Sequence, residues 1–237
     1  MNLNDLGIDT DGPHLQPLQD YSQQDEDIAV HFRDLESRLI GLIQEAQLVV
    51  GCVAWLTSNP ILDALAKVPS GVSLVVQKED FLRPDINARN GWAESLRKKY
   101  EALVEPPGRY DMGDLVSSLS VACDPTIHPV RCVGNHNSTA APAFPRMHNK
   151  FLVFCFVDWV REYEDFDYER ALVGPYAVWT GSFNLTANAT ASLENAVVIR
   201  RPSIARAYFN EWQQILALSE PLDWRSEWCA PEWRIGT

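Results

Sequence analysis

The chain has 237 residues, 46% of them hydrophobic, with 8 Trp and a formal net charge of −12. That length and apolar content suit one well-buried domain with appendages, and no run approaches the 18 or more uninterrupted apolar residues of a membrane span. The acidity argues against long-range attraction to polyanions only where it is concentrated: residues 1–27 hold seven acids and no Lys or Arg, residues 158–170 hold six acids against Arg161 and Arg170, and the rest is close to neutral.

Met1 to Gly12 carries Asp and Asn where a secretion signal needs a basic start and an apolar core, so a soluble cytoplasmic protein is expected. Residues 1–27 lack apolar periodicity and read as a disordered acidic tail. From Ile28 through Val30, Phe32, Leu35, Leu39 and Ile43 the pattern is that of an amphipathic helix. Leu48 to Leu56 reads as a buried strand. Asn59-Pro60 opens a helix through Leu65, with Asn59 as its cap, and Val72 to Gln77 is a second strand. The three form a β-α-β unit, which predicts a parallel, right-handed crossover.

Asn90 to Leu103 reads as a helix bearing the basic cluster Arg97-Lys98-Lys99. Gly108 to Gly113 is a turn region, and Leu115 to Val121 suits helix or strand. His128 to Val133 is a strand, and a polar loop follows from Gly134 to Pro145. Strands are then expected over His148 to Val157, Tyr176 to Thr180 and Asn195 to Ile199, with a closing helix from Ser203 to Leu218. Residues 28–218 thus form the domain. Residues 219–237, with Trp224, Trp228 and Trp233, form an extension that should pack on it, because three exposed Trp are costly. The 5 Cys are odd in number, scattered and without a C-x-x-C pair, so reduced thiols are expected rather than a zinc site or disulfides. The chain has no internal repeat.

Three elements carry chemistry. In His148-Asn149-Lys150, strand alternation directs His148 and Lys150 to one face, setting a nucleophile or proton donor beside a fixed positive charge. Thr180-Gly181-Ser182-Phe183-Asn184-Leu185-Thr186 follows an apolar run. Its glycine permits a tight turn near a ligand, and Ser182 and Asn184 supply hydroxyl and amide donors. Glu194, just before Asn195-Ala196-Val197-Val198-Ile199, stands where a carboxylate can orient an imidazole. Singly, each has an ordinary reading: a solvated strand end, a turn with a helix cap, a surface acid.

In this order, H-x-K, T-G-S-F-N-x-T and E-N-A-V-V-I resemble the phospholipase D superfamily, and most of all its small bacterial nucleases with a single motif copy. The resemblance spans about Ile28 to Leu218. It implies an α/β fold, a mixed, largely parallel sheet flanked by helices on both faces. It also implies a metal-independent, cofactor-free phosphodiesterase with two H-x-K sets per active site, hence a homodimer. His148 of one subunit would form a phosphohistidine while His148 of the other protonates the leaving oxygen. Lys150, Asn184 and Ser182 would hold the phosphate, and Glu194 would orient the imidazole. The implied substrate is nucleic acid, DNA before RNA, in defence against foreign DNA. Arg97, Lys98, Lys99, Arg131, Arg146, Arg200 and Arg201 are candidates for a backbone-binding groove, with specificity or activation supplied by another polypeptide. The alternatives are a phospholipid phosphodiesterase and a partner-activated or non-catalytic subunit.

Two positions depart from the family pattern. Cys155 stands five residues after Lys150, where Asp is usual, with Asp158 a candidate stand-in. Residues 158–175 form an acidic, aromatic insertion, read either as a solvated hairpin or as a flap that docks a partner or repels DNA.

Overall fold

Ile28 and Val30 do not begin a helix. In the computed structural model, which describes residues 2–5, 18–83, 91–104, 110–111, 119–121, 128–136, 145–161, 169–231 and 233–235, Ile28–His31 is a strand (β2). It pairs antiparallel with Gln23–Asp25 (β1), so the sheet begins inside the acidic segment read as a tail. Asp34, at a left-handed φ of 54°, breaks the chain between β2 and the helix Leu35–Glu45 (α1). The apolar stripe read from Ile28 therefore ran two elements together, a period-2 strand and a period-3.6 helix.

Leu48–Val53 (β3), Asn59–Leu65 (α2) and Val72–Gln77 (β4) form the expected unit, with β3 and β4 parallel. Ser58 rather than Asn59 caps α2, its side chain accepting from Ile61 N at 3.4 Å. Gly91–Glu101 (α3), Tyr110–Asp111 (β5), Leu119–Val121 (β6) and Val130–Val133 (β7) follow. Most of the turn at residues 108–113 and of the loop at 134–145 lies outside the described residues. Lys150–Arg161 (β8) and Glu169–Gly181 (β9) form a long hairpin, followed by Ala187–Thr190 (α4), Ala196–Ile199 (β10), Pro202–Ala217 (α5) and Trp233–Ile235 (β11).

The main sheet runs β1-β2-β10-β9-β8-β3-β4-β7, with β5 also beside β9, while β11 and β6 pair separately. The sheet is mixed, as expected, but mostly antiparallel rather than largely parallel. Among the described strands, the parallel pairs are β3–β4, β4–β7 and the short β5–β9 contact. The reason is connectivity: β8 and β9 are joined as a hairpin and β10 turns back on β9, whereas parallel neighbours need a crossover.

Helices cover both faces. On one, Leu39, Ile43, Ile61, Leu96 and Tyr100 of α1–α3 pack with Leu152, Phe154 and Trp179 of the sheet. On the other, Phe209, Trp212 and Leu216 of α5 pack against Phe151, Val153 and Val178. Alternation along β8 thus feeds two cores, each fully buried aromatic contributing about 1.5–3 kcal/mol.

The C-terminal extension is tied to the sheet through a buried ion pair. Lys78, fully buried just after β4, binds Glu220 at 2.7 Å and donates to Ser226 O and Trp228 O. Trp224 is buried beside it, while Trp228 remains exposed.

Candidate active site

One end of the sheet gathers the last residues of β3, β4, β7 and β9 with the first of β8 and β10. The register sets Val53 opposite Lys150, Gln77 opposite Val133 and Gly181 opposite Ala196. All five chemistry-bearing residues read from the sequence stand at this end. No motif alone dictates that convergence; it follows from β8, β9 and β10 being neighbours.

His148 is exposed, two residues before β8, and Lys150 is its first residue. Lys150 Nζ lies 3.2 Å from His148 Nδ1 and donates to His148 O at 3.1 Å, so the two do share a face. The Lys150 ammonium, then partial burial, then Arg146 hold the His148 imidazole below its ordinary pKa. Burial likewise lowers Lys150, with the Glu194 carboxylate opposing that shift.

The Gly-Ser loop is fixed by close packing. A Cβ on Gly181 would collide with Asn195 O, so only glycine lets β9 pass β10 here. Phe183 is buried against Trp179, which turns Ser182 and Asn184 away from the core. Thr186 caps α4 by accepting from Ala189 N. Asn184 Oδ1, an acceptor, is buried with no hydrogen-bond partner among the described residues.

Glu194 differs from its expected position. Within one chain its Oε2 accepts from Ser182 Oγ, which in turn accepts from Asn195 N at 3.1 Å. It is engaged with the Gly-Ser loop, and among the described residues no hydrogen bond joins it to His148.

The β3–α2 loop, which the sequence did not single out, stitches the motifs together. Ala54 N donates to Asn149 O at 2.9 Å, Leu185 N to Trp55 O at 3.1 Å, and both Thr57 N and Ser58 N to Leu185 O. Trp55 sets its ring against the His148 imidazole, centroids 6.1 Å apart and nearly perpendicular. Its Nε1 donates to Glu79 Oε1 at 3.0 Å, and Glu79 also pairs with Arg146. A charged triplet, Lys78-Glu79-Asp80, at the mouth of a buried strand was the available signal.

The proposed groove cations scatter. Arg131 is 1% exposed and donates to Ser219, so it serves the interior rather than a substrate surface. Arg200 lies at the opposite end of the sheet with Glu45, and Arg201 pairs with Asp27. On α3, Lys98 pairs with Glu94 and Lys99 with Asp63, while Arg97 donates to the carbonyls of Phe81 and Arg83. Among these, Arg146 stands at the site.

Cys155 is fully buried in the α5-side core, its thiol pushed up by burial, so it does not stand in as an anion. Asp158 is exposed and eight strand positions from Lys150, about 26 Å along β8. The insertion extends the β8–β9 hairpin, with 162–168 outside the described residues. Arg161 is eleven positions from Lys150, about 36 Å along β8. Cys52 and Cys132 are also buried free thiols, and Cys229 is an exposed one. Among the described residues no cluster of His, Cys, Asp and Glu is arranged to hold a metal, and no helix is long and apolar enough to cross a membrane.

No protein-family model matches the chain. It is 31% identical over 210 residues to the uncharacterized protein L381 of Acanthamoeba polyphaga mimivirus, covering 85% of this chain and 69% of that one. Among solved structures, NucT from Helicobacter pylori matches with a TM-score of 0.50 and 14% identity over 82% of this chain and 98% of NucT. Nuc from Salmonella typhimurium, a phospholipase D family member, matches with a TM-score of 0.45 and 17% identity over 84% of this chain and 99% of Nuc. At such identities the likeness to solved structures is one of fold.

Proposed function

We propose that this chain, which belongs to one family with the mimivirus L381 protein and has the phospholipase D superfamily fold, is a metal-independent phosphodiesterase that cleaves DNA in a dimeric active site. The observation that carries the reading is the meeting of His148, Lys150, Ser182, Asn184 and Glu194 at one end of the sheet, with His148 and Lys150 in direct contact.

In this reading, the neutral His148 of one subunit attacks phosphorus and forms a phosphohistidine, and the ester P–O bond breaks. His148 of the second subunit, entering protonated, gives its proton to the departing oxygen. It then takes a proton from water, whose oxygen displaces the first histidine. Lys150 and Asn184 bind the non-bridging oxygens, whose charge grows in the transition state. The ammonium of Lys150 supports that assignment, and Asn184 would donate through its Nδ2 amide. Ser182, held by Glu194 and Asn195 N, keeps the loop in place and presents its hydroxyl beside them. One chain brings a single His148, so two copies meet across a two-fold axis. Defence against foreign DNA is a setting that suits such an enzyme.

The test is purified protein in excess EDTA, incubated in parallel with plasmid DNA, RNA and phospholipid vesicles. Expected is DNA cleavage by wild type and none by His148→Ala. A strict requirement for divalent metal, or cleavage by the His148→Ala protein, would contradict the mechanism. Turnover of the lipid alone would retain the chemistry and replace the substrate.

A further inference from the structure

His148 is exposed, and Glu194, the acid expected to steady it, is engaged by Ser182. Among the described residues, Lys150 meets the imidazole at Nδ1, and the indole of Trp55 lies edge to face with it, centroids 6.1 Å apart. Lysine is flexible, so a hydrogen bond from its ammonium leaves the ring's tilt free. An indole is a rigid plane, and perpendicular aromatic packing fixes tilt.

Trp55 is itself held at several points. Its carbonyl accepts from Leu185 N of the Gly-Ser loop, and the residue before it, Ala54, donates to Asn149 O and accepts from Gln77 N. Its indole N–H is anchored on Glu79 Oε1. Glu79 in turn pairs with Arg146, whose guanidinium lies 5.9 Å from the Trp55 ring centroid. The pairing also matters electrostatically: an uncompensated Glu79 beside the site would repel a phosphodiester, and Arg146 neutralises it.

From this arrangement we propose that Trp55, anchored by Glu79 and Arg146, is the positioning residue that holds the His148 ring at the angle required for reaction. Trp55 acts through His148 and contacts no reacting atom. The proposal rests on the assignment of His148 as the reactive imidazole, and it adds two residues of other segments, Trp55 and Glu79, to the site beside Arg146. Misplacing the ring by about 1 Å costs on the order of 100-fold in rate, while substrate binding, set by Lys150 and Asn184, is left alone.

The experiment combines kinetics with proton NMR of the His148 ring, assigned by its loss in His148→Ala. In wild type, the Trp55 ring current displaces the His148 ring resonances. In Trp55→Leu they return toward free-imidazole positions, and kcat falls about 10- to 100-fold with KM within about twofold. Trp55→Phe, which keeps an aromatic face, retains part of both. Glu79→Gln keeps an acceptor for the indole and preserves the His148 shifts, whereas Glu79→Ala loses them. Unmoved His148 resonances in Trp55→Leu overturn the proposal, as does a change confined to KM. Because the NMR arm needs no turnover, a protein that cleaves nothing yet loses the ring-current shift in Trp55→Leu sinks the nuclease reading and retains only the packing of Trp55 on His148, whereas an active protein whose kcat is unmoved in Trp55→Leu sinks the positioning role alone.

Discussion

His148 and Lys150 were legible because alternation along a strand is a local rule: two residues apart means one face, and the 3.2 Å contact follows. Glu194 was legible as part of the site but not in its bonding, since its partner is chosen by how β10 lies on the Gly-Ser loop. Trp55 and Glu79 were invisible as site residues, because their roles arise from the β3–α2 loop crossing both motifs. The contact with Lys150 carries a pH prediction. A neighbouring ammonium disfavours the imidazolium, so His148 titrates below its usual value and is neutral, and nucleophilic, at lower pH than a free histidine. Removing the charge in Lys150→Met reverses the sign. The NMR titration midpoint of His148 should rise, and an unchanged or lower midpoint would show that Lys150 is not the dominant influence. At the same scale, His148→Ala should lower cleavage by about 10³-fold or more without altering the thermal unfolding midpoint, since the side chain is exposed.

Among the elements, β3, β4, β8 and α5 could be read directly, because long apolar runs and an i, i+3, i+4 stripe leave little choice. β2 could not. Its four residues adjoin α1, and the combined apolar spacing mimics one helix until the left-handed Asp34 is seen. Nor does the sequence declare strand direction. Parallel pairing was extended from one β-α-β unit to the whole sheet, while the hairpin β8–β9 and the return of β10 make most of it antiparallel. The mixed α/β fold expected from the resemblance is borne out at this scale, and the likeness to NucT is one of fold. Two tests belong here. Gly181→Ala drives a Cβ into Asn195 O, and should cost about 1–3 kcal/mol in urea unfolding with the Gly-Ser loop displaced. Lys78→Ala strands Glu220 in the interior and should cost about 3–5 kcal/mol, whereas Lys78→Met with Glu220→Leu should recover most of that loss. A double variant as unstable as the single one would mean that the ion pair itself, rather than the stranded charge, holds the extension.

Across the whole molecule, the uneven charge reconciles an acidic chain with the proposed phosphate substrate. Of the insertion's acids, Asp158 lies eight positions along β8 from Lys150, about 26 Å, and Glu169 pairs opposite Arg161, about 36 Å along, both several times the Debye length of about 8 Å at physiological salt. Neutralising Asp158 and Glu169 should therefore leave KM for DNA within about twofold, and a marked fall in KM would restore a repulsive role for the hairpin. The groove cations were the least legible part of the site. A lysine or arginine in sequence does not say which acid it meets, and most of those chosen are paired away from the sheet end that holds His148. In the proposed mechanism, what remains at that end is half of a two-histidine site. Whether two copies of His148 act together is tested by mixing wild-type protein with His148→Ala protein, allowing subunits to exchange, and measuring DNA cleavage in EDTA. If both histidines are required, activity follows the square of the wild-type fraction, falling to about one quarter at equal amounts. A linear fall to about one half would mean that each chain carries a complete site, and would contradict a site shared between two subunits.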